Sequence, residues 1–303
     1  MKPTLRQMEY IVTVAQTGRF GLAAAKLNVS QPSLSAQIAE TETFLGVRIF
    51  NRGRTGATTT KEGADIVRRA RLILRDVEDL CVSVRDKGVL AGRLRLGVLS
   101  SVGPYLLPPV VRDIHKNHPT LRLVVREENT KELEEGLKSG RLDMIISSPE
   151  DHPGTLQIPL FRERLWAAFA EDAPLAQDTK PLPLKKLSGQ TLLTLGRAYR
   201  LSNVVSSLAA KCGGFISDEY EGTSLDAIRL MAATGAGVAI LPQLYAQTEA
   251  QRGRDTVLRE ITETTAERQI ALIMPASDTI NDGAQVLADT LKKYSVKIMG
   301  QTL

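Results

Sequence analysis

Apolar positions recur at helical spacing near the start of the chain. Leu5, Met8, Ile11, Val12 and Ala15 form one stripe over residues 4–17, which predicts an amphipathic helix closed by Gly18. Phe20 to Leu27 predicts a second, short helix whose alanines permit close packing, and Asn28-Val29-Ser30 predicts a turn. A third helix is expected from Pro32, a residue favoured at the first helical position, with Leu34, Ile38, Thr41 and Leu45 inward and Gly46 as its stop. Two short helices joined by a tight turn predict a helix-turn-helix. Val47 to Thr60 then carries β-branched flanks around a Gly- and Arg-rich tip, as a two-stranded wing would.

A long helix is expected from the Thr60 cap to about Lys87. Ile66, Ala70, Ile73, Val77, Leu80 and Val84 follow one another at alternating steps of four and three, a heptad seam suited to dimerisation. The same stripe can instead pack on its own domain.

Beyond Gly92 the pattern alternates. Residues 93–100, 121–128 and 142–148 read as strands, separated by helical segments at about 103–117 and 130–139. A second set follows: strands in LWAAFAE, TLLTLG, ISDEYEGT and VAILP, with helices near 201–212 and from Ser224 to about Thr234. ERQIALIMP (267–275) and a helix from about Ile280 to Tyr294 close the chain. This alternation predicts βαβ units, parallel sheet and two α/β lobes around a cleft. The expected domains are a winged helix-turn-helix at 1–60, a linker and dimerisation helix at 61–90, and a regulatory domain at 91–303. Within it, lobe I takes about 91–163 and 268–303, and lobe II about 164–267.

Charge is unevenly placed. Residues 1–90 hold 14 Lys/Arg against 9 Asp/Glu, an excess equal to the whole chain's net charge of +5. Between Arg48 and Arg75 stand eight basic residues against Glu62 and Asp65. Such clustering suits a polyanion, because phosphate contacts release counterions, although a solvated basic helix face has the same composition. Cys81 and Cys212 are the only cysteines and fall outside any paired spacing, so neither a disulfide framework nor a cysteine metal site is expected. No signal peptide or membrane span is expected, since Arg6 and Glu9 interrupt the first apolar stretch and Leu230–Leu241 is short and Gly-rich. A cytoplasmic protein without a cofactor is the expectation.

The stretch FGLAAAKLNVSQPSLSAQIAETETFLGVRIFNRG resembles the LysR-type bacterial transcription regulators in its alanine-rich helix, Ser-Gln-Pro-x-Leu-Ser core and Leu-Gly-x-x-Ile-Phe-x-Arg ending. The resemblance extends over nearly the whole chain. It departs at Ala36, where many members carry Arg, and in the wing, where Thr55 stands in place of a second Arg beside Arg54. It implies a winged helix-turn-helix and long linker helix joined to a two-lobed effector domain like the periplasmic binding proteins. Implied partners are double-stranded DNA, a small-molecule effector and further copies of the chain, as a homodimer or homotetramer. RNA polymerase is a further candidate.

Gln31, Ser33, Ser35 and Gln37 lie at the expected exposed start of the third helix, where side chains reach base edges, and Pro32 fixes that start. Arg52 and Arg54 on the wing suit phosphates or the minor groove. Without the motif, the serines and glutamines are explained as polar side chains that simply face water.

The regulatory half resembles the peroxide-sensing OxyR branch at Leu96–Pro108, Gly140–Asp143 and Thr223–Pro242. Where that branch has its reactive cysteine, this chain reads Ala198-Tyr199-Arg200-Leu201-Ser202-Asn203, and Arg200 does no thiolate chemistry. The expected effector residues are Ser100, Ser101, Val102, Thr130, Tyr199, Arg200, Ser202, Asn203, Thr223 and Ser224, at strand ends and helix starts. Helix starts plus an arginine predict an anionic effector, while ordinary capping explains the hydroxyls equally well.

Two other functions compete. A redox regulator would use Cys212, and a solute-binding protein would share the two lobes but leave residues 1–90 unexplained. An enzyme is not expected: His115, His118 and His152 are the only histidines, and no ligand set or nucleophile motif accompanies them. Gly235-x-Gly237 lacks the third glycine of a dinucleotide fingerprint, having Ile240 in its place.

Overall fold

The computed structural model describes residues 2–53, 56–83, 92–178, 180–253, 255–276, 280 and 282–300. Its packing divides the chain into two units, Met1–Gly92 with Gly136–Leu142, and Arg93–Glu135 with Asp143–Leu303.

The first unit begins with helix α1 (Leu5–Thr17), whose capping box pairs Thr4 with Gln7 and whose last turn ends on Gly18. α2 (Phe20–Lys26) and α3 (Gln31–Leu45) follow, with Ser30 capping α3 by accepting from the Ser33 amide. Tyr10, Ile11 and Val14 enter the core with Ala23, Ala24, Leu34, Ile38, Ile49, Phe50 and Val67. The expected α1 stripe is therefore rotated. Leu5 is exposed, while Tyr10, Val14 and the polar Gln7 and Thr13 are buried, because adjacent stripes differ by one helical step and α4 decides which is covered. Leu45 is likewise exposed at the end of α3.

Strands β1 (Phe50–Gly53) and β2 (Gly56–Thr59) pair antiparallel as the wing. Phe20 meets Phe50 edge-to-face at 5.9 Å, anchoring the wing to α2. Thr60 caps α4 (Lys61–Ser83) by accepting from the Gly63 amide at 2.8 Å. Along the predicted seam, Ala70 is buried within the chain and Ile66 packs on the winged-helix core. Ile73 is exposed and Val77 half-buried. The Leu80 side chain, Val84 and the helix's predicted end lie outside the described residues.

The second unit is built on one mixed sheet. In chain order it contains β3 (Gly92–Leu99), α5 (Gly103–Asn117), β4 (Leu121–Glu128), α6 (Thr130–Lys138), β5 (Met144–Ser147), β6 (Leu156–Phe169), β7 (Thr191–Leu193), α7 (Arg200–Cys212), β8 (Phe215–Ile216), α8 (Leu225–Ala233) and β9 (Val238–Pro242). Helix α9 (Gln243–Tyr245) runs through Ala246–Ala250 into α10 (Gln251–Gly253), and β10 (Val257–Glu260), β11 (Glu267–Met274) and α11 (Asp282–Met299) complete it.

The strand order is β4-β3-β5-β11-β6-β9-β7-β8, with β10 beside β6. β3 and β5 are parallel, as are β7 with β8 and β9. β6 pairs antiparallel with β11 along Leu156–Arg164 and then with β9 from Leu165 and β10 from Trp166. It therefore belongs first to lobe I and then to lobe II, and the two lobes are joined through it.

The expected strand LWAAFAE is only the second half of β6. Pro159 argues against a strand over 156–164, yet it stands opposite Ala271 where the register shifts, a position that tolerates proline. The strand expected in ISDEYEGT shrinks to Phe215–Ile216, since Asp218, Glu219 and Glu221 offer no apolar face. β10 and the helical run at 243–253 carry too little local pattern to have been predicted.

Candidate nucleic-acid interface and effector cleft

The start of α3, the head of α2 and the wing enclose a surface groove of about 500 Å³ lined by Arg19, Phe20, Gly21, Gln31, Ser35, Arg52, Gly53 and Gly56. Gln31, Pro32 and Ser33 are exposed at the helix start, so their side chains are presented outward. Ser35 and Arg52 are joined: Arg52 Nη1 donates to Ser35 Oγ at 2.6 Å. The same guanidinium lies over the Phe20 ring at 4.7 Å and pairs with Glu42 at 3.6 Å. Arg52 thus braces the wing against α2 and α3 while remaining partly exposed.

Gln37 is placed differently from expectation. Gln7 Nε2 donates to Gln37 Oε1 at 3.1 Å, and Gln37 Nε2 donates to Glu40, so its amide is engaged within the domain. Arg54 lies outside the described residues. Arg19 and Phe20 were not singled out from sequence, although the basic residue between a helix stop and the next helix was a usable signal.

In the second unit a cavity of about 370 Å³ opens between the lobes. Lobe I lines it with Ser100, Pro104, Tyr105 and Glu127, and lobe II with Leu195, Thr223, Ser224, Leu225, Asp226 and Glu249. These positions lie at or beyond the carboxyl ends of parallel strands, where open α/β sheets bind ligands. Ser100, Thr223 and Ser224 are the three predicted effector residues that line it. Ser224 is also the α8 cap, accepting from the Ala227 amide at 3.2 Å.

The remaining predicted residues have other surroundings. Ser101 is buried, and its Oγ accepts from Arg268 Nη1 at 2.8 Å. Arg268 Nε in turn donates to Glu163 Oε1 at 2.7 Å, and Glu163 Oε2 accepts from the Leu244 amide at 2.8 Å. All three side chains in this network are nearly inaccessible, so each charge has a hydrogen-bonded partner. Val102 is fully buried at the start of α5, and Ser202 is buried within α7. Asn203 is exposed.

Thr130 opens α6 but does not cap it, since Asn129 Oδ1 accepts from the Glu132 amide, and Thr130 Oγ1 is buried without a partner. Tyr199 donates to the Thr223 carbonyl at 3.4 Å. Arg200 Nη1 donates to Asp151 Oδ1 at 2.9 Å. Burial raises the Asp151 carboxyl above its ordinary range, opposed by the Arg200 charge and assisted by Glu150 and Glu134.

The sign of the cavity is opposite to the anion complement expected from sequence. Its charged lining residues are Glu127, Asp226 and Glu249, while the basic Arg229 and Arg252 that pair with Asp226 and Glu249 stand behind the lining. A Cβ built on Gly103 would lie 3.1 Å from Glu127 Oε1. The protein's own carboxylate therefore sits at the α5 amino terminus, where an anionic ligand was expected. Burial, then Asp226, Glu249 and Glu127, pushes the Tyr105 phenol well above its ordinary value. Arg268 had a sequence signal, a charge within an otherwise apolar strand; Glu127 and Glu249 had none.

Cys212 is buried at the end of α7, with Sγ 3.5 Å from the Ala209 carbonyl. Among the described residues no helix is long and apolar enough to cross a membrane, and no group of His, Cys, Asp and Glu forms a metal-binding cluster.

Known proteins share both halves. The family model for the bacterial regulatory helix-turn-helix protein of the lysR family matches residues 5–64, and that for the LysR substrate binding domain matches 87–295. The chain is 34% identical over 250 residues to the hydrogen peroxide-inducible genes activator of Haemophilus influenzae, covering 82% of this chain and 83% of that one. It is 31% identical over 290 residues to the DNA-binding transcriptional dual regulator OxyR of Escherichia coli, covering 95% and 94%. Among solved structures, a full-length OxyR variant of Pseudomonas aeruginosa superposes with TM-score 0.78 at 30% identity, over 97% of this chain and 99% of that one. The chain belongs to the LysR family and is a DNA-binding transcription regulator with that family's effector-binding domain.

Proposed function

We propose that the protein is a transcription regulator whose DNA affinity or geometry is controlled by a small molecule held between the two lobes. The cavity flanked by strand ends of both lobes carries this reading. A molecule touching both lobes lowers the free energy of their closed arrangement more than that of the open one, and only such a difference shifts a population. Gln31, Ser33 and Ser35 then read bases, and Arg52 positions the wing.

One recognition helix reads few base pairs, so the regulator acts as a homodimer or homotetramer. Ile73 and Val77 on α4 are available for pairing, whereas Ala70 is covered by its own chain. RNA polymerase is the expected downstream partner, in the cytoplasm.

Relatives named for hydrogen peroxide raise a redox reading. Burial of Cys212 weighs against it, because a sensing thiol must meet its oxidant, and Arg200 rather than a thiol begins α7. The test uses full-length protein, DNA selected from a random library, and a metabolite identified by thermal shift. Ser100→Ala and Thr223→Val, both at cavity-lining positions, should blunt the metabolite's effect while leaving DNA binding intact. Unaltered dose–response curves in both variants would remove the cleft from this reading. Deleting residues 1–60 should abolish DNA binding and keep metabolite binding.

A further inference from the structure

We propose that the interlobe cleft takes an organic cation, a small molecule bearing one or more protonated amines; this rests on reading the cleft as the effector site. Both lobes supply negative charge to the cavity, Glu127 from lobe I and Asp226 and Glu249 from lobe II. Glu249 pairs with Arg252, and Asp226 shares Arg229 with Asp255, so two guanidiniums face four carboxylates and the site stays net negative. An ammonium group between them would reduce the repulsion that opposes lobe closure, so binding and closure are coupled by the same charges. Tyr105 adds an aromatic wall, stacked edge-to-face on Tyr245 at 5.0 Å, of the kind that favours cations.

A second, independent observation points to a ligand that hydrogen-bonds. Thr130 Oγ1, Ser148 Oγ and Thr194 Oγ1 are all buried without partners, and they stand one or two residues past the ends of β4, β5 and β7. Ser148 is 2% exposed and Thr194 5% exposed, so ordinary solvent does not satisfy them. Ser100 and Leu195, which line the cavity, leave β3 and β7 at the same carboxyl ends. Asp151 Oδ2, just beyond β5, is a further buried acceptor without a partner. The free hydroxyls can donate or accept, and the ionised Asp151 Oδ2 only accepts, so the set can receive N–H donors from a ligand reaching the strand ends of both lobes. The anion place at the α5 start is already taken by Glu127, and Ser101 by Arg268.

The experiment is calorimetry on the full chain with linear diamines from ethylenediamine to hexamethylenediamine, beside butanediol and succinate as neutral and anionic counterparts. At least one diamine should bind saturably, with affinity falling as salt rises, while butanediol and succinate do not. Glu127→Gln and Glu249→Gln, both at exposed side chains or rims that tolerate an amide, should each weaken diamine binding about tenfold, the loss of one charge-assisted contact. Circular dichroism on each variant establishes that it is folded. No saturable diamine binding, or binding unchanged in both variants, overturns the proposal. Succinate binding that Ser100→Ala, at a cavity-lining residue, removes would also overturn it, yet would leave the effector-cleft reading standing.

Discussion

Arg200 on α7 donates to Asp151 beyond β5 at 2.9 Å, an ion pair that joins lobe II to lobe I. The arginine is about one-third exposed and the carboxylate much less so, which makes the pair a latch that water reaches from one side. Its partner oxygen, Asp151 Oδ2, is buried and unpaired.

That pair predicts a pH dependence of known sign. Burial holds the Asp151 carboxyl above its ordinary range despite Arg200, so the folded state binds this proton more tightly than the unfolded chain. The stabilising contribution is complete below the unfolded carboxylate pKa and is lost as pH rises through the raised folded value. Asp151→Asn should therefore abolish this fall, so that stability rises more steeply with pH across the acidic range than in the parent. Urea melts across the acidic range check this, and an unchanged pH profile would contradict it.

Ser101, Arg268 and Glu163 should behave as one unit. Arg268→Met leaves Glu163 as an uncompensated buried charge and is expected to cost about 3–5 kcal/mol. Adding Glu163→Met should recover part of that loss, since the Leu244 amide still lacks its acceptor. A double-mutant cycle by chemical denaturation measures the coupling.

On the DNA side, the two glutamines of α3 should separate. Gln31 lines the groove, whereas Gln37 is engaged by Gln7 and Glu40. Gln31→Ala should weaken binding to selected DNA by about 1–3 kcal/mol, the worth of a bidentate base contact. Gln37→Ala should change it much less. Fluorescence anisotropy at one fixed salt concentration compares them, because affinity depends steeply on ionic strength.

At Gly63, α4 packs directly against Ile49, the residue that precedes β1. A Cβ there would lie 2.1 Å from the Ile49 carbonyl oxygen, which also accepts from the Thr60 amide. Gly63→Ala must push the helix from the wing strand, at an expected cost of about 1–3 kcal/mol or more. Thermal unfolding should show the loss; a variant as stable as the parent would mean that the helix start shifts freely.

Much of the molecule was legible in its sequence. Gly18, Ser30-Gln31-Pro32 and Gly46 punctuate the first three helices where the structure places their ends. The strand at 238–242 is an apolar run, and that at 121–128 has an apolar, β-branched LRLVV start, so neither needs a distant partner to be recognised. Failures came where a neighbour overrides local pattern. Pro159 sits inside β6 only because the register shifts opposite Ala271, and Leu5 is exposed because α4 covers the adjacent stripe.

The sequence by itself determined the helix-turn-helix, the wing, the long α4 and the alternating α/β elements, since these follow from periodicity, caps and turn residues within a few positions. Tertiary structure alone decided what the cleft is made of. Ser101 meets Arg268 across 167 residues, Arg200 meets Asp151 across 49, and Glu127, Asp226 and Glu249 reach one cavity from separate elements. Strand order and pairing set those meetings, and periodicity carries no information about which distant strand will lie alongside.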